Sequence, residues 1–600
     1  MVMLIDVVVC YAAMACGASL DAAQTLGFIV AAGVSCRRVR TTRDGALFAI
    51  ATVLVFSLRS GLLELLARRE AFPIHIALPL TVITTGFLLR AASRSSAGAR
   101  WRELAVAIVG YAFLLRLVYA AQVELLPEET YYWNYSRHLD IGYLDHPPMV
   151  AWLIRIGTSL FGNTEFGVRF GALCCGGITS VFAFRLTRHV VGEDSALAAL
   201  VLVQVLPFFF LSGLLMTPDA PLTATWAAAL YFMERALVAQ RPRAWLWLGF
   251  SLGVGLLSKY TIGLLGCVAF LFMVLDRPSH QWFRRREPYV AAMLAAVVFT
   301  PVVLWNAQHD WASFAFQTSR RLAERPRFSL HKLIGGALVL ITPTGVWAVV
   351  AAFVRRGSRP GMGTGEERLA RAWRLLLFAL LVPMTVFFFF SLRHEVKLDW
   401  TGAPWVAALP VLAFGVTRSY AAPAPGWCRG LRAAWPPTVF ALLLFYAAGL
   451  YHLVQGIPGV GYPRQTELIP VGWRDLGRQI GAVADELRST DSDRLLVVGM
   501  DRYAIASELA FYSRDQIQSV ASTSTGHLFE GLGLMYEQWF PAQLQAGRTL
   551  LLVAWDPGAL DLVHLRDHVA TAGPVIEGSL IRNGMLVRHY YYRVAHGYSP

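Results

Sequence analysis

Runs of about twenty apolar residues recur along this 600-residue chain and set its class before any motif is read. A helix rises about 1.5 Å per residue, so about twenty apolar residues cross a hydrocarbon layer of about 30 Å. Inside that layer each backbone N–H and C=O needs a partner within the protein, which a helix supplies. Charged residues make up 15% of the chain and hydrophobic residues 56%, whereas a soluble domain is about 25% charged. The chain is therefore expected to be a polytopic α-helical membrane protein. Its net charge of +14 would suggest nucleic acid in a soluble protein. Here an excess of arginine in cytoplasmic turns explains much of it, and no nucleic-acid partner is expected.

The arginines orient the spans. Arg90, Arg94, Arg100 and Arg102 precede the first core run, 104–126, which puts its start in the cytoplasm and Glu128 outside. Further runs fall near 167–184, 195–214, 219–237, 244–258, 261–275, 289–306, 332–354, 373–391, 401–417 and 436–454. Alternate turns carry Arg185 and Arg188, then Arg235, Arg241 and Arg243, then Arg277 and Arg284 to Arg286. Arg355, Arg356, Arg368, Arg371 and Arg374 follow, and finally Arg418, Arg429 and Arg432. The alternation predicts a core of about eleven spans over 101–457 and leaves 458–600 outside. Residues 1–100 read as an extension with two to four further spans, and without a basic segment ahead of the first apolar run no cleaved signal peptide is expected.

Beyond about residue 459 the pattern changes. Helix 473–487, strand 494–498, helix 504–512, strand 549–554 and final strands within 580–592 predict a small extracytoplasmic α/β domain. It contains no GxGxxG and no P-loop, so no nucleotide site is expected there. None of the seven cysteines falls in a predicted outer loop or in this domain, and none has zinc-site spacing.

The chemistry concentrates in the outer loop 127–166, which begins PEETYYWNYSRHLDIGYLDHPPM. Charge beside hydrocarbon is costly unless paired or functional. Three acidic segments stand on the predicted outer face: Glu128-Glu129, Asp145-His146-Pro147-Pro148 and Met216-Thr217-Pro218-Asp219. Pro127 followed by two glutamates would also start a helix well, and Asp219 would also cap the run after it. The outer-face cations are Arg137, Arg155, Arg169, Lys259, Arg320, Arg321, Arg325, Arg327 and Lys397. Each alone suits a lipid headgroup or a snorkelling side chain. As a set, facing acids from three segments, they favour a phosphate site. His309, Asp310 and Trp311 lie in a long outer loop, a common place for function, although an interfacial tryptophan is the commoner reading of Trp311.

Several of these segments resemble one family. Glu128-Glu129-Thr-Tyr-Tyr-Trp, Asp145-His-Pro-Pro-Met, MTPDAP (216–221), LSKYT (257–261), LWNAQHDWASF (304–314) and EVKLDW (395–400) resemble GT-C glycosyltransferases, in the branch of the lipid A aminoarabinose transferase and the protein O-mannosyltransferases. RYAIASELAFY (502–512) resembles the extracytoplasmic domain of bacterial members. The resemblance covers about 103–600. It implies a GT-C fold and inverting transfer of a sugar from a polyprenyl-phosphate-linked donor to an envelope lipid, glycan or protein. The place would be the outer face of a bacterial inner membrane, with the C-terminal domain periplasmic. The family pattern begins Asp-Glu where this chain has Glu128-Glu129, and the aminoarabinose branch has Lys-Pro-Pro where this chain has His146-Pro147-Pro148.

On this reading Glu128, Glu129, Asp145 and Asp219 are the catalytic acids. Tyr131, Arg137, His146, Lys259, Tyr260, His309 and Lys397 hold substrate or phosphate. An incoming hydroxyl needs a carboxylate in hydrogen-bond reach, and a departing phosphate needs cations. No cofactor is required, and a divalent metal remains open. The alternative is a secondary transporter or flippase of an anionic lipid-linked substrate, which would place charge near the midplane within repeated halves.

Overall fold

The computed structural model describes residues 2–36, 42–69, 72–95, 101–320, 326–356, 364–419, 426–463, 469–490, 495–565 and 567–600. Arg100, Arg321 and Arg325 lie outside these residues. Among the described residues, eight helices are long and apolar enough to cross a membrane. A ninth arises if Tyr260–Leu275 and Arg277–Arg284, bent by 111°, count as one span.

Helices stand at all eleven expected core runs, but those between 193 and 275 are short or broken. Helix Glu193–Val205 stops at Leu206, which is extended (φ −64°, ψ 135°), and Pro207 opens the next helix, Pro207–Ser212. Proline lacks an N–H and pushes the residue before it out of the helical region, so the break follows from the sequence. Length alone therefore undercounts this region. The segment Leu398–Arg418 is 83% buried and forms the centre of the bundle, whereas Glu287–Gln308 is 28% buried and lies at its rim.

The N-terminal extension has two short helices, Val2–Ala15 and Leu20–Cys36, followed by Thr42–Leu63 and Ile74–Ser95. A buried ion pair, Arg59 NH1 to Asp6 Oδ2 at 2.5 Å, joins the first helix to the third. Tyr111 and Tyr119 of helix Trp101–Ala120 donate to the carbonyls of Leu54 and Ser57, which docks the extension on the core.

The C-terminal domain is a mixed six-stranded sheet. Its strands are β1 (Leu495–Gly499), β2 (Thr523–Thr525), β3 (Thr549–Ala554), β4 (Val569–Ala572), β5 (Ile576–Arg582) and β6 (Met585–Tyr598). The order is β2-β1-β3-β6-β4, with β5 also on β6. β1 pairs in parallel with β2 and β3, and β6 runs antiparallel to β3, β4 and β5. β1 and β3 are buried throughout, as their unbroken apolar sequences require of strands covered on both faces.

This domain sits directly on the outer loop. Trp133 meets Phe511 edge-on at 5.1 Å, and Leu125 N–H donates to the Tyr512 hydroxyl at 2.8 Å. A single apolar core runs through the helix Pro127–Arg137 and the face of the sheet.

Candidate functional site

The helix Pro127–Arg137 begins as its sequence predicts, with Pro127 at the first position and Leu126 extended before it. Glu129 is wholly buried, and its oxygens are all engaged. It accepts from Arg169 Nε at 2.9 Å and NH2 at 2.6 Å, from Leu126 N–H at 3.1 Å and from Met216 N–H at 2.9 Å. Arg169, equally buried, also donates to the carbonyls of Val123 and Glu124. The expectation of Glu129 as a catalytic acid therefore needs revision. Its carboxylate is a joint between the loop, the helix Glu165–Val191 and the MTPDAP segment. Arg169 leaves the set of phosphate ligands for the same reason.

Glu128, one residue earlier, points the other way. It keeps solvent-accessible surface although protein atoms crowd around it. That crowding raises its carboxyl above the ordinary carboxylate range; Asp399 adds to the rise, while Lys397 and Lys259 oppose it. Lys259 stands in the extended break between Ala244–Leu256 and the turn Tyr260–Ile262. Its Nζ donates to Asp219 Oδ1 at 2.9 Å, Asp219 Oδ2 at 3.1 Å and Asp399 Oδ2 at 3.1 Å. Asp219 is the first residue of the helix Asp219–Met233. Lys397 is exposed and has no ion pair among the described residues. Sequence reasoning missed Asp399, although it lies within EVKLDW two residues after Lys397.

Asp145 forms the neighbouring wall. It is buried and accepts from the hydroxyls of Tyr131, at 3.2 Å, and Tyr135. Burial raises its carboxyl, and the two tyrosines and Arg502 act against that. Gln317 Nε2 donates to the Asp145 carbonyl, which ties in the segment after Trp311. The His146 ring meets Tyr132 at 5.7 Å, and Tyr260 shares a 2.9 Å hydrogen bond with Ser313. Tyr132 and Tyr503 each lie within electrostatic reach of both Glu128 and Asp145.

Two expected ligands stand further out. Arg137 is in the last turn of its helix, nine residues after Glu128, which is about 13 Å along the axis. Burial and the nearby Arg155 lower its pKa. His309 stacks on Trp305 at 4.1 Å with Nδ1 against the Trp305 carbonyl, and Trp305 Nε1 donates to Asp140. Asp310 and Trp311 both take left-handed φ, 51° and 58°, and Trp311 is half exposed. Arg327 is an exposed partner of Glu395. Among the described residues no group of three or more histidine, cysteine and acidic side chains is arranged to hold a metal. A cavity of about 560 Å³ lined by Val274, His280, Gln281, Phe283 and Arg284 opens at the opposite end of helix Gly263–Leu275, remote from these acids.

A bundle of long apolar helices with a broken middle, and a C-terminal sheet domain packed on the helix Pro127–Arg137, define a multi-span membrane protein, and its fold is that of the GT-C structures. Comparison with known proteins agrees. A family model described as dolichyl-phosphate-mannose-protein mannosyltransferase matches residues 145–305. The chain is 31% identical over 194 residues to a lipid A galacturonosyltransferase of Rhizobium johnstonii, covering 30% of this chain and 38% of the relative. It is 29% identical over 321 residues to an undecaprenyl phosphate-alpha-4-amino-4-deoxy-L-arabinose arabinosyl transferase of Sodalis glossinidius, covering 48% and 53%. The chain thus spans about half or less of the length of these relatives. The structure of ArnT from Cupriavidus metallidurans bound to undecaprenyl phosphate superposes with a TM-score of 0.53 at 16% identity, over 82% of this chain and 98% of that one. That likeness establishes the shared fold.

Proposed function

We propose that the chain is an inverting glycosyltransferase at the outer face of the bacterial inner membrane, its C-terminal domain periplasmic. It takes a sugar from a polyprenyl-phosphate carrier and passes it to a phosphorylated envelope glycolipid, lipid A or the lipopolysaccharide core. The relatives named for such transfers support this reading, and the observation that carries it is the placement of Glu128. An acid raised in pKa stands within electrostatic reach of Lys259, Asp399 and Lys397, the last without an ion pair among the described residues.

In this scheme Glu128 takes the proton of the incoming hydroxyl as its oxygen bonds to the anomeric carbon. The bond from that carbon to the carrier phosphate breaks, and the charge left on the phosphate faces Lys259 and Lys397. Asp219 and Asp399 hold Lys259 charged and in place. Asp145, fixed by two tyrosines, forms the wall that receives the sugar. No step requires a cofactor.

The test is mass spectrometry of envelope lipids from a deletion strain and from the strain carrying the gene again. Loss of one sugar from lipid A or lipopolysaccharide, restored by the wild-type gene and not by Glu128→Gln, is the expected result. An unchanged envelope glycan profile would overturn the reading, and a build-up of lipid-linked sugar on the cytoplasmic leaflet would favour the flippase.

A further inference from the structure

The sheet of the C-terminal domain has a topological switch point. β1 leads through helix Ala504–Tyr512 to β2 on one side, and β3 then joins β1 on the other. In open α/β sheets the crevice at the carboxyl ends of such strands is where ligands bind. Here the chain leaves β1 at Gly499 and runs at once into Met500, Asp501, Arg502 and Tyr503. Asp501 accepts the Ile505 N–H and so serves the helix start. Arg502 and Tyr503 serve nothing comparable.

The crevice does not open to bulk solvent alone. The Tyr503 ring packs on Tyr131 at 4.8 Å, and Tyr131 in turn donates to Asp145. The Tyr503 hydroxyl feels the charges of Glu128, Asp145 and Arg502. Arg502 is exposed and, among the described residues, has neither an ion pair nor a hydrogen bond; Tyr503 has no hydrogen bond from its hydroxyl. Both tyrosine hydroxyls sit on Asp145 Oδ1, and Arg502 acts on that carboxylate through its charge without an ion pair or hydrogen bond to it among the described residues. Two polar side chains with unused donors therefore stand on the wall contributed by the C-terminal domain, while Lys259 and Lys397 stand on the wall contributed by the span ends.

Resting on the transferase reading above, we propose that Arg502 and Tyr503 bind a phosphate group of the acceptor, and that they select phosphorylated acceptors over neutral ones. The carrier is a membrane lipid and brings its phosphate to the span ends, where the lysines are. A second phosphate, on a bulky saccharide reaching into the cavity from above, meets the wall that the domain provides. A guanidinium fork suits phosphate oxygens bidentately, and a tyrosine hydroxyl adds one more donor.

The experiment uses the purified full-length protein in detergent and three probes: lipid A with both phosphates, the same lipid A after phosphatase treatment, and undecaprenyl phosphate. Binding is measured for wild type, Arg502→Ala, Arg502→Lys and Tyr503→Phe, and thermal unfolding confirms that each variant is folded. Wild type is expected to bind phosphorylated lipid A about tenfold or more tightly than the dephosphorylated form, the scale of a charge-assisted hydrogen bond. Arg502→Ala should abolish that preference, Arg502→Lys should retain part of it, and Tyr503→Phe should reduce it while keeping the ring on Tyr131. Undecaprenyl phosphate binding should be unchanged in all of them. In transfer assays the KM for phosphorylated acceptor should rise in Arg502→Ala with kcat nearly kept. No preference in wild type, the same preference in Arg502→Ala, or a loss confined to undecaprenyl phosphate would each overturn the proposal. Selective binding without any transfer would overturn the transferase reading and leave this site standing.

Discussion

Two adjacent glutamates, Glu128 and Glu129, are one residue apart and do opposite work. Glu129 is locked by Arg169 and two backbone N–H groups, and Glu128 keeps solvent-accessible surface. As the base, Glu128 acts when deprotonated, so its raised pKa has a direct consequence. The rate should fall as pH drops through a value above the usual carboxylate range, and Glu128→Gln should remove that limb. With a hydroxyl acceptor the Gln variant should lose about 100-fold or more in kcat, the usual contribution of a general base. A wild-type rate would transfer the role to Asp219. Lys259→Met leaves Asp219 and the partly exposed Asp399 without their shared cation. Its loss should lower the melting temperature and raise the KM for the donor together, which a thermal melt and a donor titration would show. The motifs name Glu128, Asp145, Asp219 and Lys259, and the structure brings Lys259 onto Asp219. The fate of Glu129 was not legible, since only the fold shows Arg169 brought to it across 40 residues of sequence. Asp399 was missed because, within EVKLDW, nothing local distinguishes it until Lys259 is seen beside it.

At the scale of elements, the outer loop is held by close contacts. Helix Met149–Phe161 lies against Glu165–Val191 so tightly that a Cβ on Gly157 would fall 2.1 Å from the Gly167 carbonyl. Gly157→Ala should therefore push the two helices apart and lower the melting temperature, and an unchanged melt would show that this packing relaxes freely. Breaking the Glu129–Arg169 pair by Arg169→Leu strands a buried carboxylate and should cost about 3–5 kcal/mol, read by denaturant or thermal unfolding. Glu508 makes a subtler case. It is buried in helix Ala504–Tyr512 of the C-terminal domain, and burial first, then Glu124 and Glu129, raise its pKa well above the ordinary value. The folded state then holds a proton that the unfolded chain releases, so stability falls as pH rises above the ordinary glutamate value toward the folded one. Glu508→Gln should gain stability over wild type by an amount that grows between pH 5 and pH 8. A constant difference across that range would contradict this. Helices such as Trp473–Thr490 and strands β1 and β3 fall where the sequence placed them, because periodicity and unbroken apolar runs are local signals. Pro207 accounts for the break in the 195–214 run, which the sequence pattern read as one apolar stretch, and the final strands extend beyond the expected 580–592 through a pairing that only the fold shows.

For the whole molecule, a helical core carries a C-terminal domain packed on the helix Pro127–Arg137. The arginine alternation predicts that the domain faces away from the cytoplasm. Ser489 is exposed on it, so Ser489→Cys in a cysteine-free background should react with an impermeant maleimide in cells whose outer membrane is opened. Labelling only after inner-membrane lysis would reverse the topology. The central claim is transfer itself. Purified protein in proteoliposomes should be given undecaprenyl-phosphate aminoarabinose or undecaprenyl-phosphate galacturonate, with phosphorylated lipid A as acceptor, and the products read by mass spectrometry. The account predicts that one donor yields glycosylated lipid A and free undecaprenyl phosphate in equal amounts, with the product lost in Glu128→Gln. Movement of the intact donor across the bilayer, with no sugar leaving its carrier, would contradict it.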